Sequence, residues 1–140
     1  MWLIFAFLSA IFAACVAIFG KLGLKDIDST LATTIRGIIM AFFLFIVSFS
    51  LGKFRGFSFS SMSSKDWFLI IFAGISGALS WLFYFFALKN GQASSVVAVD
   101  RLSIVFVVVL AVLFLGEGLS WKLALGSVLM VIGAILISLK

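Results

Sequence analysis

The sequence has no histidine, no proline and one cysteine, and only 11% of its 140 residues are charged. Without histidine, the commonest metal ligand and general base is missing. Cys15 has no partner for an internal disulfide and sits in an apolar run. Without proline no helix carries a proline kink, so any bend or unwinding is expected at the 12 glycines. The shortage of charge excludes most soluble folds, because a soluble domain needs a charged surface to stay dispersed.

What is there is hydrocarbon. Apolar residues make up 65% of the chain and mean hydropathy is +1.39, with the charges gathered in short gaps between long apolar runs. A bilayer core about 30 Å thick is crossed by roughly 20 helical residues. Helices and closed barrels are the only spans that satisfy every backbone group in lipid, and continuous runs of this length exclude a barrel. The expected fold is therefore an all-α membrane protein, a bundle of five transmembrane helices forming one domain over 1–140 in a cell membrane. Helices are expected at about 2–19, 30–51, 67–88, 96–115 and 121–139.

Local signals set these boundaries. Ser29 is the expected N-cap of the second span, Asp66 of the third and Ser120 of the fifth. Lys89-Asn90-Gly91 and Gly116-Glu117-Gly118 read as turns. The longest connection, 52–65, spaces Phe54, Phe57 and Phe59 among serines and cations, a mixture suited to the headgroup level. The other connections are short, so neighbouring helices are expected to run antiparallel in one compact bundle. Phe12-Ala13-Ala14-Cys15 has the outline of a lipoprotein cleavage site, yet Met1 to Gly20 holds no basic residue. The expectation is a first membrane helix that stays attached.

The net charge of +5 comes from basic residues at membrane edges, where headgroups hold them, so the expected partner is the lipid bilayer and not nucleic acid. Lys53, Arg55, Lys65 and Lys122 fall on the face of the N-terminus, and Lys21, Lys25, Lys89 and Lys140 on the other, four against four. Arg36 and Arg101, inside spans, both lean to the second face and make it six against four. Such a near balance is what a chain inserted in both orientations needs, and an antiparallel homodimer requires that. A single orientation set by a few dominant charges is the other reading.

Asp100 is an intramembrane carboxylate, costly unless paired, protonated or open to a watery cavity. It lies about 6 Å inside the start of its helix and Arg36 about 9 Å inside its own, at 1.5 Å per residue and from the same face. A pair between them is geometrically open, with both lining a substrate path. The alternative is that Arg36 and Arg101 reach up to the interface while Asp100 caps a helix that starts later. Trp81 and Tyr84 share a helix face, with Ser76 and Ser80 nearby, and suit either an aromatic-lined cavity or bundle packing. Small residues at helical spacing, Thr33-Gly37-Ala41, Ala73-Gly77 and Gly126-Gly133, are expected to let helix backbones approach closely.

Several of these features occur together in one known pattern. The turn Lys89 to Ser95, the segment Asp100-Arg101-Leu102-Ser103, the Leu115-Gly116-Glu117 turn, and Gly126 and Gly133 on the last helix resemble the EamA domain of the drug/metabolite transporter superfamily. Leu31-Ala32-Thr33-Thr34-Ile35-Arg36 resembles the same region of its single-domain, five-helix members, so the resemblance covers essentially the whole chain. In longer members two such domains form inverted repeats around a central path, so a lone domain implies a second copy or a related half. The smaller four-helix relatives carry a glutamate in their first helix, and the first span here has no acidic residue, so their proton exchange does not carry over.

The expected function is transport of a small metabolite or amphipathic compound by alternating access, as a homodimer of five-helix halves. Arg36, Trp81, Tyr84, Asp100 and Arg101 are the candidate substrate-binding residues, with no metal site and no cofactor. The alternative is a non-transporting accessory subunit, or a partner in translocating a lipid-linked carrier. An enzyme is not expected, since the chain lacks histidine and a cysteine cluster and holds one membrane-embedded carboxylate for acid and base work.

Overall fold

The computed structural model describes residues 1–58 and 61–139, which leaves the expectations on Phe59 and Lys140 outside it. Among the described residues the chain is helical and has no strand. In order come α1 (Trp2–Gly23), α2 (Ser29–Ser50), α3 (Ser64–Asn90), α4 (Ala93–Asp100), α5 (Ser103–Leu110), a π-helical turn (Ala111–Leu115) and α6 (Trp121–Ser138). With Ala93–Leu115 taken as one stretch, these give 5 helices long and apolar enough to cross a membrane. At most 11% of the residues in the most apolar window of each span are buried inside the chain, so most of them present apolar surface that needs lipid or another protein as solvent.

Capping differs from expectation at two helices. Asp28, not Ser29, caps α2: its carboxylate accepts from the amides of Thr30 (2.9 Å) and Leu31 (3.0 Å). The carboxylate is the stronger acceptor for the exposed N-terminal amides and suits the positive end of the helix dipole. Ser63, not Asp66, occupies the cap of α3. Its Oγ accepts from the Asp66 amide (3.2 Å), while Asp66 reaches back to the Ser63 amide (3.0 Å) and hydroxyl (2.8 Å), a reciprocal capping box. Ser120 caps α6 as expected, accepting from Leu123 at 3.2 Å.

The expected fourth helix, 96–115, starts three residues earlier and is not continuous. Around Arg101 and Leu102 the bonding shortens from i−4 to i−3: Leu102 donates to Val99 (2.9 Å), Ile104 to Arg101 (3.2 Å) and Val105 to Leu102 (3.0 Å). No glycine lies there, which overturns the expectation that irregular backbone rests on glycine. The widened turn Ala111–Leu115 does end on a glycine. Gly116 adopts φ 67°, a left-handed conformation that a Cβ disfavours, and the Glu117 amide closes back onto the Ala111 carbonyl at 3.2 Å.

Contacts gather the chain into two compact units, Met1–Lys21 with Asn90–Lys140, and Leu22–Lys89. In the first, α4 packs on α6, with Ala98 and Ala134 buried, and the Ser95 hydroxyl donates to the Ile137 carbonyl (3.3 Å). Lys21 at the end of α1 donates to the Gly91 carbonyl at 2.8 Å. In the second, Lys89 at the end of α3 donates to the Ile27 carbonyl at 2.9 Å. Leu24, Phe85 and Leu88 are buried, and Phe54 of the long connection packs its ring on Phe45 of α2 at 5.4 Å between centroids.

Candidate functional site

Within the second unit, α2 and α3 face each other across a cleft of about 460 Å³. Thr33, Thr34 and Gly37 of α2 form one side. Gly74, Gly77 and Trp81 of α3, with Ala73, Ala78 and Leu82, form the other. The volume lies in the range of roughly 300–1,000 Å³ typical of small-molecule sites. A Cβ added at Gly37, Gly74 or Gly77 would meet nothing within 4 Å, and the same holds for Gly126 and Gly133 on α6. These small residues would let helix backbones approach closely, but among the described residues no other helix takes up that room at the five glycines. In the second unit, small side chains leave room between helices, and the residues buried between α4 and α6 in the first unit are alanines.

Arg36 follows the two threonines on α2 and is half-buried. Its guanidinium carbon lies 4.4 Å from the Trp81 ring centroid and 4.4 Å from that of Phe85, both on α3. Positions 81 and 85 are one helical turn apart and share a face, so α3 offers two aromatic rings to one cation. Such contacts contribute about 0.5–1 kcal/mol when exposed and about 2 when desolvated. The head group rests on these two rings. Among the described residues its Nη1 is buried without a hydrogen-bond partner. Of the acidic residues in this unit, Asp28 bonds the first amides of α2 and Asp66 bonds Ser63.

Trp81 thus belongs both to the cleft wall and to the seat of Arg36. Tyr84 packs edge-on against Phe85, 5.4 Å between centroids at 87°, and so stands beside that seat. Ser76 and Ser80 are exposed and are not among the cleft's lining residues. The hydroxyls of Thr33 and Thr34 donate to the Ser29 (2.7 Å) and Thr30 (2.9 Å) carbonyls of their own helix. Phe85, 3% exposed, escaped the sequence reading. The available signal was its i+4 spacing from Trp81 and i−3 spacing from Leu88.

In the first unit Asp100 ends α4, and Arg101 follows in the tightened turn; both are exposed. The helix after them is capped by Leu102 without a side-chain hydrogen bond, so the alternative in which Asp100 caps a later-starting helix is overturned. At the membrane edge, Asp28 has its carboxyl pKa lowered, chiefly by the bond from the Leu31 amide, with further help from Thr30 and the positive charge of Lys89.

The EamA-like transporter family matches residues 1–139. A protein from a Sinorhizobium species, described as an uncharacterized transporter in the cobO 3′ region, is 37% identical over 137 residues, covering 98% of this chain and 96% of that protein. No solved structure gives a significant match.

Proposed function

This chain belongs to the EamA-like transporter family, and from that premise we propose that it moves a small metabolite or amphipathic compound across a cell membrane by alternating access, as a homodimer of five-helix halves. The observation that carries this reading is Arg36 seated on Trp81 and Phe85 beside an apolar cleft of about 460 Å³. A cation without a hydrogen-bond partner at a buried nitrogen is costly within a membrane span and is kept where it has something polar to meet. Tyr84 is taken to shape this site through Phe85.

Asp100 and Arg101 are taken as polar contacts of the substrate path in their own unit. Exposed opposite charges inside the span Ala93–Leu115 suit a watery passage better than lipid. The i−3 turn beside them and the π-helical turn beyond are irregularities of the kind often found at hinges and functional sites, as moving helices require. Membership of a transporter family argues against enzymatic function. The near balance of basic residues between the two faces supports an antiparallel pair.

The test is flux through the purified chain alone in proteoliposomes, screened against a panel of small metabolites and amphipathic compounds. Saturable flux that Asp100→Asn and Arg36→Gln reduce supports the proposal. No flux from any compound, together with co-purification of a different membrane protein, overturns it in favour of an accessory subunit. Unchanged flux in a folded Asp100→Asn variant removes that residue's role alone.

A further inference from the structure

We infer that the cleft between α2 and α3 binds an amphipathic monoanion, with its carboxylate or phosphate on Arg36 and its apolar body in the cleft. The inference rests on the transporter reading and names the substrate class of that same site. The rings of Trp81 and Phe85 contact the guanidinium at 4.4 Å each. Ring contacts of this kind use no hydrogen bond, so they leave the N–H donors of the guanidinium to pair with an anion, and their fork matches the two oxygens of a carboxylate or phosphate. Nη1 is buried and unpartnered among the described residues, so the group keeps hydrogen-bonding capacity that none of them meets.

Arg36 adjoins the cleft through Trp81, and the wall itself favours an apolar body. Thr33 and Thr34 already donate their hydroxyl protons to their own helix, and the rest is glycine, alanine, leucine and one indole. Charged recognition therefore falls to Arg36. A single cation, with two of the unit's acidic residues bound at helix starts, balances one negative charge and repels a cationic ligand. A cationic drug-like compound is the wrong charge for this seat, and a neutral alcohol offers one uncharged acceptor oxygen in place of the paired, charged oxygens that a guanidinium binds most strongly.

The probe is octanoate, compared with octyltrimethylammonium and octanol of equal chain length. The protein, in zwitterionic nanodiscs, carries Trp2→Phe, Trp67→Phe and Trp121→Phe, which leaves Trp81 as the sole indole. The expected result is a saturable change of Trp81 emission with octanoate, absent with the other two, and weakened at least tenfold by Arg36→Gln and less by Arg36→Lys. An equal response to the cation, or a response that Arg36→Gln leaves unchanged, overturns the inference. Calorimetric titration of the unmodified chain with octanoate and octyltrimethylammonium, and of Arg36→Gln with octanoate, gives the same decision should the triple variant not fold.

Repeating the titration in nanodiscs containing phosphatidylglycerol separates two sources of the anion. Competition assigns the group to a lipid headgroup, and none assigns it to a soluble compound, with the charge class upheld in both. Octanoate binding without flux of any compound keeps this inference and rejects the transporter reading. Flux without octanoate binding does the reverse.

Discussion

The guanidinium of Arg36 stands 4.4 Å above the Trp81 ring, and the same indole is a wall of the cleft between α2 and α3. A group that binds in the cleft therefore touches a residue already in contact with the cation. This geometry separates function from stability. Arg36→Met keeps an unbranched, apolar side chain of similar length on the rings and removes a charge with a buried, unpartnered nitrogen, which is unfavourable to the fold. The lost cation–π contacts and the relieved burial of an unpartnered nitrogen oppose each other, so the expected outcome is a melting temperature in detergent close to that of the unmodified chain together with loss of transport. A fall of more than about 5 °C, of the order that 1 kcal/mol produces in a chain this size, would assign Arg36 to the scaffold instead.

Gly116 holds φ 67° where the π-helical turn ends. A Cβ there has open space, so substitution acts through backbone strain alone. Gly116→Ala is expected to cost about 1–2 kcal/mol, the cost of a left-handed residue with a Cβ. Gly118→Ala in the same connection serves as the control, since its φ is not positive and it too has open space. Thermal unfolding of both variants checks this, with the expected loss confined to position 116.

The Asp28 carboxyl holds its pKa below the ordinary value because the ionised form accepts from Leu31 and Thr30 and faces Lys89. A depressed acid stabilises the fold above its unfolded pKa, and that contribution is lost as pH falls through the folded pKa. Protection of the Thr30 and Leu31 amides against hydrogen exchange is thus expected to be constant near neutral pH and to drop in acid, at a pH below the usual carboxylate range. Asp28→Asn, which keeps an acceptor without the charge, is expected to remove most of that pH dependence. A dependence unchanged in Asp28→Asn would place its origin elsewhere.

These three sites also mark what was legible in the sequence. Hydropathy places the five spans because lipid imposes its length on each helix independently of its neighbours. The Ser120 cap and the Gly116 turn were readable because their signals are local. At α2 and α3 the caps shifted by one and three residues, since several acceptors lie side by side in Asp28-Ser29 and Ser63 to Asp66, and sequence does not say which one the chain turns around. The break at Arg101 and Leu102 carries no glycine or proline and left no trace. Trp81 and Tyr84 were visible as aromatic residues on one face, but Phe85 was lost among 18 phenylalanines. Which of these meets the cation depends on how α2 and α3 face each other, a long-range fact. The small-residue stripes were legible for what they permit, and which helix uses that room is likewise a long-range fact.

Membrane orientation bears on the assembly. Reporter fusions at the C-terminus that signal separately on each side of the membrane are expected to give signal on both, as an antiparallel homodimer needs. Signal on one side alone would contradict the antiparallel pair and turn attention to a parallel assembly or an unlike partner chain.

If the α2–α3 cleft carries the substrate, filling it with Gly77→Leu stops transport. A Cβ at position 77 meets nothing within 4 Å, so a larger side chain fills the cleft without displacing a neighbour at its root. The measurement is saturable flux in proteoliposomes of Gly77→Leu beside the unmodified chain and beside Gly126→Leu, an equally open position on α6 outside the cleft. The predicted result is helical content and melting temperature close to the unmodified chain in both variants, with flux abolished only in Gly77→Leu. Full flux in a folded Gly77→Leu protein would move the substrate path away from α2 and α3.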